Sequence, residues 1–321
     1  MIMNDLYLKV PFDVDEFACL SAGKILSTYE PMLEESLWSD WERERKFAFK
    51  LVFISICHDI NWDFLQNMLA QRFTEDPNQL SADFLSKINA PTFKKWLSNY
   101  DKPERIRATE RAALLRDLGQ QLIMRFAGDP ANIVAEANGF LFGKGGFYDL
   151  LDNFKAYRED PLRKKSNVLT HDLAKEQILS FQDTDKIMPA IEYHIMRLYV
   201  RTGRVVARTE SLNKALRLGR PLTQWYIKTL RQMVSKALIQ TAGIARKTIP
   251  DVNYVEWQIA RNYCIAREPL CIKGIKPKNL PLDIEQLCNG LCPYINSCVA
   301  YTNPQLLKLK EPSQRRSKSF Y

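Results

Sequence analysis

The sequence predicts an all-α protein, and three observations carry that expectation. Glycine is scarce, at 12 of 321 residues, while leucine, alanine, lysine and arginine are common. Apolar residues recur at helical spacing, as in Phe47, Leu51, Ile54 and His58, and in Leu114, Leu118, Leu122 and Phe126. Tyr226, Leu230, Met233, Ala237 and Leu238 form a third such row. Runs that alternate apolar and polar residues, the mark of a half-buried strand, are rare.

Breaks between helices are expected near Asp76-Pro77, Asp101 to Pro103, Gly128 to Pro130, Gly139 to Gly146, Arg220-Pro221 and Ile249-Pro250. The glycine-rich segment Gly139-Phe-Leu-Phe-Gly143-Lys-Gly145-Gly146 lacks the spacing and the Lys-Ser/Thr ending of a phosphate loop, and no strand precedes it. It reads as a turn between helices. There is no internal repeat.

The 321 residues suffice for one large or two small domains with a core. Hydrophobic residues make up 46% and charged residues 26%, which excludes a disordered or collagen-like chain. No apolar stretch reaches membrane-spanning length, and the N-terminal segment carries early acids without an apolar run. A cytoplasmic, monomeric protein with no membrane partner is expected. Five of the seven cysteines lie between Cys264 and Cys298. Without an export signal such a cluster points to metal rather than to disulfides.

The net charge of +9 is unevenly spread. Between Ile195 and Pro250 there are twelve Lys or Arg against one acid, Glu210, so that segment alone carries +11. Lys308, Lys310, Arg315, Arg316 and Lys318 follow near the C-terminus. This asymmetry suits a phosphate backbone, and double-stranded DNA is the expected partner.

The cysteine segment reads Cys264-Ile-Ala-Arg-Glu-Pro-Leu-Cys271, then Cys288-Asn-Gly-Leu-Cys292-Pro-Tyr-Ile-Asn-Ser-Cys298. Four thiolates can hold a tetrahedral Zn²⁺ or a [4Fe–4S] cluster. The segment resembles the iron–sulfur loop of endonuclease III and the related adenine glycosylase. That resemblance implies a [4Fe–4S] cluster on Cys264, Cys271, Cys292 and Cys298, with Zn²⁺ as the alternative. Twenty residues, including Cys288, separate Cys271 from Cys292, whereas the family's middle cysteines are nearly adjacent. The ligand set therefore stays open between these four and one using Cys288. Cys19 and Cys57 are expected to be dispensable.

Upstream, Ala190-Ile-Glu192-Tyr-His194-Ile-Met-Arg197-Leu-Tyr-Val-Arg201-Thr202-Gly203 resembles the segment that carries the catalytic aspartate of helix-hairpin-helix glycosylases. His194, Arg197, Arg201 and Thr202 match by type, and Glu192 falls where that family has Asp. Cleaving an N-glycosidic bond leaves positive charge on the sugar. A fixed carboxylate stabilises that charge and orients the attacking water. The resemblance makes Glu192 the catalytic carboxylate, expected at a helix N-terminus, and assigns Arg197, Arg201 and Arg204 to the DNA backbone. It also implies a two-lobed helix-hairpin-helix glycosylase-like fold. The expected parts are an N-terminal region (1–100) packing with the C-terminal lobe, a central lobe (101–195), a basic lobe (196–260), a cysteine-rich metal loop (261–303) and a basic tail (304–321).

Residues Arg111 to Gly203 also resemble the queuosine salvage proteins, the queuosine 5′-phosphate N-glycosidases. The likeness runs through Leu115 to Gly128, then Lys164-Lys165-Ser166-Asn167, then Ala190-Ile191-Glu192-Tyr193-His194. Near the N-terminus, Phe53 to Phe64 resembles that family's base-recognition segment. The resemblance implies a catalytic role for Lys164, and base or substrate contacts by Asp59, Asn61, Trp62, Lys165, Asn167 and His194. Lys164 is expected to assist without forming a Schiff base, leaving an abasic site. Together these readings predict a monofunctional DNA N-glycosylase that flips a bulky, modified base, as in phage DNA, which suits antiviral defence. The alternatives are a queuosine 5′-phosphate-type nucleotide N-glycosidase and a non-catalytic DNA-binding module.

Overall fold

Side-chain caps set where many of the helices begin. The computed structural model describes residues 10–32 and 36–311, and Arg315, Arg316 and Lys318 of the basic tail lie outside the described residues. Strand β1 (Phe12–Val14) leads to Asp15, whose carboxylate accepts from the Ala18 amide at 2.9 Å and opens helix α1 (Glu16–Leu26). Next come α2 (Arg43–Ile56), α3 (Trp62–Glu75), α4 (Ala82–Lys87), α5 (Ala90–Trp96) and α6 (Ala108–Phe126). The series continues through α7 (Ala131–Ala137), α8 (Phe147–Leu151), α9 (Lys155–Arg158) and α10 (Lys164–Lys175). The C-terminal half holds α11 (Tyr193–Arg201), strand β2 (Val205–Ala207), α12 (Glu210–Arg217), α13 (Gln224–Ala245) and α14 (Ile249–Asn262). Four short helices complete it: α15 (Leu270–Lys273), α16 (Leu282–Cys288), α17 (Val299–Thr302) and α18 (Pro304–Leu307). Helix accounts for 61% and strand for 2%, so the all-α expectation holds. No helix among the described residues is long and apolar enough to cross a membrane.

The chain forms two compact units, a terminal one from described residues 10–32 and 191–311 and a central one from residues 36–190. Only the first few elements, β1 and α1, join the C-terminal half. The sequence reading had placed everything up to residue 100 there. The reason is visible in α2, whose part from Phe47 to Ile56 is buried on nearly every face and so needs partners all round. It finds them inside the central unit. Lys50 of α2, itself 1% exposed, pairs with Asp172 of α10 at 3.0 Å and with Glu176. Tyr157 Oη donates to the Leu51 carbonyl at 2.7 Å. α4 crosses α6 at Gly119, where a Cβ would stand 2.4 Å from the Ser86 nitrogen, so only glycine permits that approach.

In the terminal unit, α1 lies on α13 with Gly23 at the crossing, where a Cβ would stand 2.5 Å from Ile244 Cγ2. β1 and β2 form an antiparallel ribbon in the register Phe12↔Ala207 and Val14↔Val205. At the centre Arg204 is ion-paired to Glu256, and both are fully buried. Tyr199 Oη and Tyr294 Oη both donate to the same carboxylate, the latter at 3.0 Å. The Arg204 guanidinium stands 3.8 Å over the Tyr199 ring. Glu256 holds the Arg204 pKa above its usual value despite burial.

Candidate active site

In the central unit the predicted lysines come together with residues the sequence had not singled out. Lys165, in the first turn of α10, is fully buried, and its Nζ donates to the Ser55 carbonyl in the last turn of α2 at 2.6 Å. Its amide donates to Asp160. Burial brings its amine down to about 8, against the opposing pull of Cys57 and Asp160. Burial pushes the Cys57 thiol up, while the positive charges of Lys164, Lys165 and Arg111 pull it back. Arg111 donates to the carbonyls of Ile56 and Arg105 at 2.9 Å, and also to those of Ile106 and His58, closing the end of α2. Burial brings its guanidinium down to about 10. Burial also keeps the His58 imidazole neutral well below its ordinary range, although Glu110 lies 3.5 Å from its Nε2.

Left-handed backbone flanks this cluster. Asp59 has φ 51° just after α2, and Leu162 and Arg163 have φ 63° and 52° just before α10. Non-glycine residues in that region cost about 1–3 kcal/mol each and persist where surrounding structure enforces them, often at functional sites. The segment from 159 to 169 lacks the glycines of a glycosylase hairpin. Leu162 and Arg163 adopt the left-handed geometry all the same. Cys57, Asp160 and Arg111 lie within the segments that carry the resemblance without being singled out there, and Cys57 is expected to be dispensable. The sequence signal for Cys57 is its place inside the Phe53 to Phe64 segment, directly before His58-Asp59 at the end of the buried half of α2.

The other predicted pocket residues divide. Asn61 is exposed, and its Oδ1 caps α3 by accepting from the Phe64 amide at 2.9 Å. Trp62 is half-buried with its ring edge on Phe53, 4.5 Å between centroids. Asn167 donates to the Pro189 carbonyl at 2.9 Å, which fixes the strap before residue 191 against α10. His171, one turn further on, donates from Nε2 to the Met188 carbonyl at 2.9 Å, and burial brings its pKa down to about 4. Asp183 is held by the amides of Leu141 and Phe142 at 2.7 and 3.2 Å, so it pins the glycine-rich turn.

In the terminal unit Glu192 stands where the sequence reading put it, at the N-terminus of α11. Its Oε1 accepts from the Ile195 amide at 3.1 Å, and the side chain is half-buried. His194 Nδ1 accepts from Arg197 at 2.7 Å. Arg197, Arg201 and Arg204, expected on the DNA backbone, are buried, with exposures of 1%, 1% and 0%. Arg197 donates to the Cys264 carbonyl at 2.6 Å and pairs with Glu311 at 2.8 Å. Arg201 donates to the carbonyls of Leu309, Ile265 and Ala266 at 2.8, 2.8 and 3.0 Å. A guanidinium spent inside the fold cannot reach a phosphate.

Cys264, Cys271, Cys292 and Cys298 line one small cavity together with Leu198, Arg201 and Tyr294. Burial raises the thiols of Cys271, Cys292 and Cys298, and the neighbouring cysteines raise them further. Cys288 does not line that cavity, and burial pushes its thiol up to about 12. Among the described residues no group of three or more His, Cys, Asp or Glu is disposed to hold a single metal ion. A hollow of about 450 Å³ around Asn78, Phe84, Lys87 and Thr92 contains none of the expected site residues.

The model of the queuosine salvage protein family matches residues 32–224. That is well over half of the chain, and the chain belongs to this family. The match contains the whole central unit and runs on through Glu192, α11 and α12. None of the curated proteins matches the chain.

Proposed function

We propose that the chain is an N-glycosidase that hydrolyses the bond between a modified, deazaguanine-type base and its sugar. The observation that carries this reading is the family match, which takes in Lys164, Lys165 and Glu192. Glu192 is the carboxylate that stabilises the positive sugar, and its cap on α11 fixes its direction before substrate arrives. Lys164 assists without forming a Schiff base, so the bond is hydrolysed and the sugar keeps its phosphate. A helix-hairpin-helix origin of the fold is part of the same reading. The test is to incubate the protein with queuosine 5′-phosphate and follow the free base by mass spectrometry. Base release that depends on Glu192 supports the reading. No release from this nucleotide or from any DNA carrying modified bases rejects it.

A second reading, a DNA glycosylase acting on bulky bases such as those of decorated phage DNA, is favoured by what lies beyond the match. Residues 225–311 add the long helix α13 and the cysteine cavity. Four of the twelve basic residues counted between 195 and 250 are buried: Arg197, Arg201, Arg204 and Arg231. Lys214, Arg220, Lys228, Lys236 and Arg246 remain on the surface. On this reading they meet phosphates while the base is flipped out of the duplex. Base release from duplex DNA, with none from the free nucleotide, would select it.

A further inference from the structure

The terminal unit contains a second centre that the glycosidase chemistry does not use. Four cysteines far apart in sequence are brought to one place by four separate local devices. Cys264 follows α14, whose last turn presents its carbonyl and sulfur to Arg201. Cys271 sits in α15, after Pro269 has turned the chain. Cys292 precedes Pro293 in a tight turn beside the buried Tyr294. Cys298 is the residue before α17, and its Sγ lies 3.4 Å from the Arg201 carbonyl. All four line the same cavity, and the fifth cysteine of the segment does not.

Arg201 supplies an independent pointer to what the cavity takes. Its guanidinium lines the cavity and is 1% exposed. Its partners are the carbonyls of Cys264, Ile265, Ala266 and Leu309, and the Cys264 Sγ at 3.5 Å. Among the described residues no carboxylate pairs with it, unlike Arg197 and Arg204 in the same unit. A buried cation without a counter-charge is costly, by several kcal/mol in the usual case. Four thiolates around a group of charge +2 carry two net negative charges, which would neutralise Arg201 from inside the cavity.

We propose that Cys264, Cys271, Cys292 and Cys298 hold a [4Fe–4S] cluster, with Cys288 outside the ligand set. A single zinc ion draws its sulfurs to about 2.3 Å from one point. The four cysteines line one cavity together. A cubane, with iron at each corner, meets its four ligands further apart. The role is structural: the cluster ties the chain after α14 to α11 and closes the terminal unit.

The test uses the whole chain, purified without oxygen and supplied with ferrous iron and sulfide, then desalted. Iron, zinc and acid-labile sulfide are measured, with the visible spectrum. The expected result is about four irons and four sulfides per chain with a band at about 400 nm. Cys288→Ala should keep them, and Cys264→Ser and Cys292→Ser should lose them. One zinc per chain without sulfide overturns the cluster. Loss from Cys288→Ala, with retention in Cys298→Ser, overturns the ligand set. A native chain that retains no metal, and melts unchanged when Cys264 or Cys292 becomes Ser, overturns the site. Because metal content is read on the native chain, variants that fail to fold do not blur the result.

Discussion

At Glu192 one carboxylate serves as the cap of α11 and, on the proposed reading, as the stabiliser of the reacting sugar. Two substitutions separate these roles. Glu192→Gln keeps an oxygen that can accept from the Ile195 amide, so stability should change by less than about 1 kcal/mol. Base release should fall by about 100-fold or more, because the charge itself is lost. Glu192→Ala should lose both. Melting curves and base release on the same samples decide it; full activity in Glu192→Gln would move the role to another acid. Asp183, upstream of Glu192, already spends both oxygens on the Leu141 and Phe142 amides. At Arg204 the expectation differs in kind. Glu256→Ala would leave a fully buried guanidinium beside two tyrosine hydroxyls with no counter-charge. Such a broken pair should cost about 3–5 kcal/mol, readable as a lowered denaturant midpoint. The motif led to Glu192, because carboxylate chemistry constrains both its type and its place before a helix. The burial of the three arginines was not legible, since a sequence shows charge but not the side of a helix on which a neighbour packs.

The helices α10 and α11 were legible from apolar spacing, and their starts were not equally so. Glu192 announces α11 through its capping chemistry. α10 starts after Leu162 and Arg163, two left-handed residues that no residue type predicts. Their conformation comes from the packing of α10 on α2, through Lys165, Lys50 and the strap at Pro189. That strap gives α10 a pH signature. His171 is buried and bonded to the Met188 carbonyl, with its pKa brought down to about 4 from 6.5. The unfolded chain takes up the proton first as pH falls, so the stabilising contribution is full above about 6.5 and is lost down to about 4. The size is about 3 kcal/mol, and His58 acts in the same direction. Urea midpoints should therefore rise from pH 4 to 6.5, and His171→Gln should flatten that rise. An unchanged slope in the variant would place the titration elsewhere.

Over the whole molecule, sequence gave the helical class and the count of charges, while the partition into units came only from three-dimensional packing. The long apolar face of α2 fits either half in sequence terms. The ion pairs of Lys50 decide for the central unit. Surface charge follows the same logic. The count of +11 between Ile195 and Pro250 includes four arginines that are buried, so the face available to a polymer is smaller than the sequence implied. What remains is testable by salt. If DNA is the substrate, Lys228 and Lys236, exposed on α13 eight residues apart, should each neutralise a phosphate. Each contact releases counterions, so the slope of log K against log salt should lose about one unit for each lysine replaced. The double variant Lys228→Glu/Lys236→Glu should thus bind duplex DNA more weakly at low salt and converge with the native chain at high salt. Release of base from queuosine 5′-phosphate should be unchanged, since a free nucleotide offers no backbone to grip. If the native chain shows no salt-dependent binding to duplex DNA at all, the polymer reading falls and the nucleotide glycosidase stands alone.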